Sequence, residues 1–459
     1  MWRRLALFVL FPLIVLACQR TPLTATTAQA APTSTIYHVA TNGNDASNGA
    51  ANTPWRTIQH AVDSINPGDT IWVHNGTYVG ARIEQSGSDT QWLTLMAAPG
   101  ENPVLDGPGP NNRHNSTLEL ETWEGSLTVS YWVIEGLEVT GASGWGIDMR
   151  GTETAHSHHL TIRGNRVHDN GWPTTSTGIF SGFVDHVIVE DNESYNNGEH
   201  GVYLSNSGDF PIVRRNRVHD NAAGGIQFNG DLSAGGDGII SDGLIEANII
   251  YENGAISGGA AINLDGARAI TVRNNILYEN HAGGIAIFQI NGGICSQEIA
   301  VLNNTFLMAA DGRWAVNVAG TGCINNKVFN NILYNQHSWR GSIVVAAPNI
   351  TGFESDYNVI MDRFSIDDGD TRISLSEWQG LGYDTHSFIA TPAQLFLNAA
   401  AADFHLLPTS PALNQGLTLP AVTDDFEGQP RPFGPAYDIG ADEYMILPFS
   451  VYLPLATRS

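Results

Sequence analysis

From about residue 130 to residue 360 the apolar positions of this chain fall into one short recurring unit, apolar-x-x-Asn-x-apolar. It is clearest in Ile162-Arg163-Gly164-Asn165-Arg166-Val167 and returns around Asn192, Asn216, Asn248, Asn275, Asn304, Asn331 and Asn358. Successive asparagines lie 27, 24, 32, 27, 29, 27 and 27 residues apart, and Gly136 holds the same place 29 residues before Asn165. A period of this size marks a solenoid. Each period also carries a second strand opened by Gly or Ala, as in Gly178-Ile179-Phe180, Gly201-Val202-Tyr203-Leu204, Gly225-Ile226-Gln227-Phe228, Ala261-Ile262-Asn263-Leu264 and Gly284-Ile285-Ala286-Ile287. Apolar residues alternate there with variable ones, as half-buried strands require. Such strands cannot bury their apolar sides alone, so the coils must stack, about 4.8 Å apart, around a shared core.

The pattern predicts an all-β protein, a right-handed parallel β-helix of roughly nine or more coils. The recurring Asn is expected at a bend, its amide donating to one neighbouring coil and accepting from the other. A second run five residues later (Asn170, Asn197, Asn221, Asn253, Asn280) is read the same way. Solenoid ends expose unpaired strand edges and need caps. Ile58, Ala61, Val62 and Ile65, at helical spacing within Pro54–Ile65, predict an N-terminal capping helix, followed by the strand Thr70–Val73. Beyond Asn358 the period is lost, and 361–444 reads as an irregular C-terminal cap. Residues 36–125 are assigned to the N-terminal cap and first coils, and 126–360 to the repeats.

Composition supports an elongated β protein, with 49 Gly, many asparagines and only 15% charged residues. The net charge of −25, with a single lysine, excludes nucleic acid as a natural partner. Arg3 and Arg4 precede an apolar run, Leu5 to Leu16, that suits an export signal over residues 1–17. Val15-Leu16-Ala17-Cys18 has the form of a lipobox, which would make Cys18 a lipidated first residue; ordinary signal cleavage is the alternative. Residues 18–35, rich in Thr, Ala and Pro, read as a tether, and 445–459 as an apolar tail. The expected product is an exported monomer, anchored to a membrane through Cys18. Cys295 and Cys323 lie nine and eight residues before Asn304 and Asn331, equivalent places in adjacent coils, so a disulfide is expected between them.

Tyr37-His38-Val39-Ala40-Thr41-Asn42-Gly43-Asn44-Asp45, Pro54-Trp55-Arg56-Thr57-Ile58 and Pro67-Gly68-Asp69-Thr70-Ile71 together resemble the opening of β-helical polysaccharide lyases. That group includes one class of pectate lyases and chondroitinase- and alginate-lyase-like proteins. Asp403-Phe404-His405-Leu406, Ser410-Pro411-Ala412-Leu413 and Asp438-Ile439-Gly440-Ala441 resemble the closing segment of secreted bacterial β-helix proteins. The resemblance covers nearly all of 36–444 and implies the fold, export and a polysaccharide partner. The lysine base and calcium-holding aspartates of the pectate lyases do not carry over. Lys327 lies late in the helix, Asp231, Asp237 and Asp242 are scattered, and Asp367-Asp368-Gly369-Asp370 lies beyond the repeats. Calcium is left open at either loop, against plain acidic turns.

His200, in Glu199-His200-Gly201-Val202-Tyr203, replaces the Thr177 and Gly224 of neighbouring coils. Its His-Gly-apolar setting resembles β-helical alginate epimerases and lyases, which implies a base at His200, with Tyr203 as hydroxyl donor. Arg166, Glu193 and Arg217 follow one another in successive coils, and Arg217 could neutralise a uronate carboxylate; an ion-pair ladder is the plainer reading. Asp148, Arg150, Gln227, Asn229, Asn263 and Asp265 are expected to project outward as a polar groove for a hydroxyl-rich ligand. The row His168, Tyr195, His219, Tyr251, Tyr278, Tyr334 is read as stacked rings or as a strip for sugars. Two functions compete: a uronate lyase or epimerase, and a non-catalytic glycan-binding or structural surface rod.

Overall fold

The structure is a computed structural model that describes residues 34–122, 127–171 and 176–445. Cys18, the signal segment and nearly all of the tether and tail lie outside the described residues. Three parallel sheets, of thirteen, eleven and twelve strands, run the length of the solenoid. One coil shows the order: Ser130–Glu135 in the first sheet, Glu138–Thr140 in the second, and Ile147–Arg150 in the third, which holds the Gly-opened strands. Stacking gives about twelve turns of right-handed parallel β-helix.

The recurring unit spans the bend between the first and second sheets. The residue before each ladder asparagine has left-handed backbone: Gly164 (φ 63°), Asp191 (57°), Arg215 (53°), Ala247 (52°), Asn274 (55°), Asn303 (50°), Asn330 (58°) and Tyr357 (56°). That conformation costs a non-glycine residue roughly 1 kcal/mol, and the asparagine behind it offsets the cost. Asn248 Nδ2 donates to Val213 O and to Asn275 Oδ1, both at 2.9 Å, while Oδ1 accepts from the Asn216 backbone and side chain. The second ladder repeats this from Asn170 to Asn280, behind Asp169, Asn196, Asp220, Glu252 and Glu279, also left-handed. The Asn–Asn pairs follow: the first tolerates the bend and the second builds the ladder. Asn358 ends it on the cap, donating to Asp384 Oδ1 at 2.8 Å while its backbone N–H donates to Ser387 Oγ.

The N-terminal helix is shorter than expected, Ile58–Ser64, because Thr57 caps it and Asp45 binds the backbone N–H groups of Arg56 and Thr57. Pro54–Arg56 stays extended, with Trp55 paired to the first strand. Ile58, Ala61 and Val62 are buried, as their spacing predicts. The C-terminal region differs from a simple plug. Leu375–Gly380 closes the last coil by stacking Trp378 on Phe364 at 5.0 Å. Residues 414–441 instead run back beside the bends of earlier coils. There Arg273 donates to Ala421 O, Asn274 to Asp424 O, Asn303 to Asp438 O and Asn330 to Leu417 O.

Cys295 and Cys323 are bridged, with Cα atoms 4.7 Å apart. Replacing both with Ser should lower unfolding free energy by about 2–4 kcal/mol, read as a denaturant midpoint shift that vanishes when wild type is reduced.

Candidate active site on the outer face of the third sheet

Register places Arg82, Glu119, Asp148, Phe180, Tyr203, Gln227 and Asn263 in one outward row across successive coils. Its first half is charged. Glu119, fully buried, accepts from the backbone N–H groups of Arg113 and His114 at 2.8 and 3.0 Å and lies 3.6 Å from Arg82 Nε. Asp148, also fully buried, accepts from Ser116 Oγ and pairs with Arg150 Nε at 2.8 Å. The Arg150 guanidinium packs against Trp145 and Phe180, 4.7 and 4.6 Å from their centroids, the two rings themselves being 5.4 Å apart. Cation–π contact with two rings and a carboxylate at one edge hold it in place. Among the described residues, two buried side-chain atoms without a hydrogen-bond partner lie here, Glu119 Oε1 and Arg150 Nη2. Such atoms are costly and rare away from ligand sites.

Rings continue the strip, His114 to Trp145 at 5.8 Å, Phe180 to Tyr203 at 5.5 Å and Tyr203 to His200 at 5.3 Å. His114 Nε2 is 3.0 Å from Glu121 Oε2, and Arg113 also reaches Glu121. Burial alone would raise Glu121, but the His114 hydrogen bond and the charges of His114, Arg150 and Arg113 hold it below the ordinary value. Burial lifts Asp148 to about 6 against the pull of Arg150. His114, Glu119 and Glu121 bring their ligand atoms within 4.8 Å of one another and could hold a divalent cation, as could His405, Glu427 and Asp442 in the C-terminal segment.

Several expectations need correction. His200 is not open at a strand mouth: it is 7% exposed, its Nδ1 lies 3.3 Å from Gly224 O, and burial lowers it to about 4. It is therefore neutral, and its one hydrogen bond is to backbone, which makes it a scaffold residue beneath Tyr203. Tyr203 is half-buried, its hydroxyl accepting from Asn229 Nδ2 at 2.7 Å. Arg217 lies on the second sheet, bonded to Tyr251 Oη and 3.6 Å from Glu193, so His200, Tyr203 and Arg217 do not form one site. The Arg166–Glu193–Arg217 row is an ion-pair ladder.

The outward residues Asp148, Gln227, Asn229, Asn263 and Asp265 are buried rather than lining an open groove. Loops 231–238 and 289–293 close over the far end, and Asp265 accepts three backbone N–H bonds from Ile290, Asn291 and Gly292. Arg150, Trp145 and Tyr203 remain reachable. Asp231, Asp237, Asp242 and Asp367 accept hydrogen bonds within their own turns, and none belongs to a convergent ligand group. Lys327 pairs with Glu354 at 3.2 Å, far exposed on the first sheet. The ring row is a stack: spacings of 4.7, 5.0, 4.6 and 4.8 Å from His168 to Tyr278 leave those ring faces covered.

Sequence reading missed Arg82, His114, Glu119, Glu121, Trp145 and Phe180. The first four precede the Asn repeat, so no periodic marker carried the frame to them. Trp145 had a signal: in Trp145-Gly146-Ile147 it holds the place of Thr177, His200 and Gly224 one coil earlier.

The fold and this charged, ring-lined flank define a pectate-lyase-like right-handed β-helix protein. Residues 37–311 match the family model of the Pel9A-like right-handed β-helix region, and the chain belongs to that family. It is 25% identical over 333 residues to the uncharacterized protein YwoF of Bacillus subtilis (65% of this chain, 68% of that one). It is 26% identical over 319 residues to pectate lyase L of Paenibacillus polymyxa (64% and 67%). Pectate lyase L of Dickeya dadantii is 29% identical over 152 residues, 30% of this chain and 35% of that one. The crystal structure of pectate lyase Pel9A superposes with a TM-score of 0.60 at 18% identity, covering 90% of this chain and 97% of that one.

Proposed function

We propose that this protein is an exported enzyme acting on a uronate-containing polysaccharide, abstracting the proton beside the carboxylate as a lyase or epimerase does. The observation that carries this reading is Arg150: a partly exposed guanidinium held against the Trp145 and Phe180 rings and paired with Asp148, with its Nη2 buried and without a hydrogen-bond partner. A uronate carboxylate bound there would have its charge neutralised, and the enolate formed on proton loss would be stabilised. The His114–Glu121 pair would take the proton as an imidazole–carboxylate base, and the Tyr203 hydroxyl would return one. The pectate lyase relatives agree with this chemistry.

Pectate, alginate and glycosaminoglycans should be tested for unsaturated product by ultraviolet absorbance, and for solvent deuterium entering the sugar ring by NMR. Product or exchange with one polymer is expected. Neither with any would leave the second reading, a non-catalytic glycan-binding rod, which the buried neutral His200 and surface-paired Lys327 favour. Surface anchoring is part of the proposal: Cys18→Ala should move the protein from the membrane fraction to the soluble one, and unchanged fractionation would remove the anchor.

A further inference from the structure

The stacked rings of the second sheet are interrupted once. In register, Tyr251 is followed by Tyr278, then Leu307, then Tyr334, so the row lacks one ring. Strands two apart are separated by about 9.5 Å, while consecutive rings in this row sit 4.6–5.0 Å apart. Leu307, itself buried, takes the missing ring's place with a smaller side chain. The C-terminal segment packs beside Leu307 without closing the surface over it. Phe404 leans on Tyr278 at 5.2 Å, but tilted by 45°, and the wall facing the gap is built of Pro392, Ala399, Ala400 and Ala402. A hollow of about 590 Å³ results, within the usual range for small-ligand sites of roughly 300–1,000 Å³.

We propose that this hollow is a second carbohydrate site, separate from the Arg150 face, that takes a neutral pyranose over Leu307, against Tyr278 and Tyr334 in its wall. A pyranose presents flat C–H faces to aromatic rings and a rim of hydroxyls, and both find partners here. Glu252 and Glu279 line the rim; Glu279 accepts from Gln336, and Glu252 lies 2.9 Å from His281 Nε2. Each carboxylate keeps acceptor capacity for sugar hydroxyls. The same two charges, in a chain of net charge −25, oppose a uronate. The two sites thus sort by charge: anionic sugar at Arg150, neutral sugar at Leu307. A polymer of uronates with neutral side chains would engage both, which ties the second site to regulation of reach along the chain rather than to bond cleavage.

The test is saturation-transfer NMR with the full protein and three probes at millimolar concentration: cellobiose, β-1,4-galactobiose and digalacturonate. Transfer to at least one neutral disaccharide is expected. Leu307→Tyr supplies the missing ring and should weaken that binding about tenfold or more; Tyr334→Ala should also weaken it. A thermal melt of each variant confirms the fold. Leu307→Tyr should leave turnover of short oligouronates unchanged, which separates this site from the proposed reaction. The inference is overturned if no neutral disaccharide shows transfer, or if Leu307→Tyr binds as wild type does.

Discussion

Arg150→Lys should lower kcat/KM on the active polymer by about 10²–10³-fold while moving the melting temperature little. That range is what loss of one preorganised charge-stabilising donor typically costs. Lysine keeps the charge beside buried Asp148, so no carboxylate is stranded, but it has no planar fork to pack against Trp145 and Phe180. Arg150→Ala is the contrasting variant. It leaves Asp148 buried without its cation, and breaking such a pair costs roughly 3–5 kcal/mol, so activity and stability should fall together. Wild-type turnover in Arg150→Lys would move the site away from this face.

The same pair sets an expected pH dependence. Asp148 is lifted by burial to about 6, above its unfolded value of 3.8. The folded chain therefore binds this proton more tightly than the unfolded chain. Its contribution to stability is greatest below pH 3.8 and declines as pH rises through about 6. Function runs the other way, since only the ionised carboxylate holds Arg150 in place. Turnover should rise with pH through about 6 while this group's stability contribution falls, and Asp148→Asn should abolish both trends.

Asn248→Ala should destabilise the solenoid by about 3–6 kcal/mol, measured by denaturant unfolding. The side chain makes hydrogen bonds to three neighbours: it donates to Val213 O and Asn275 Oδ1 and accepts twice from Asn216. Alanine keeps the backbone N–H that also donates to Asn275 Oδ1, but leaves Val213 O and the Asn216 backbone N–H buried without this partner, at about 1–3 kcal/mol each. It also removes what holds Ala247 in left-handed backbone, φ 52°. Because each coil contacts only its neighbours, the loss should divide one unfolding transition into two. A single transition within about 1 kcal/mol of wild type would show that strand pairing alone carries the bend.

The solenoid was written into local sequence. Spacing of Asn165 through Asn358, the alternation in the Gly-opened strands, the capping-helix residues and the Cys295–Cys323 bridge are local or strictly periodic signals. Each coil repeats the same burial problem, so one residue type recurs at one place and can be read without tertiary knowledge. The site was not periodic. Asp148, Arg150 and Tyr203 were legible as outward positions, but their exposure was decided by loops 231–238 and 289–293, whose path no repeat specifies. Tertiary structure alone sealed His200 under Tyr203, put Arg217 on a different sheet, and brought Arg82, Glu119 and Glu121 from unmarked coils beside Asp148. It also decided that the C-terminal segment runs back along the bends and leaves a hollow beside Leu307. Contacts between coils follow from register, which the sequence repeats; contacts between loops depend on shape, which it states only once.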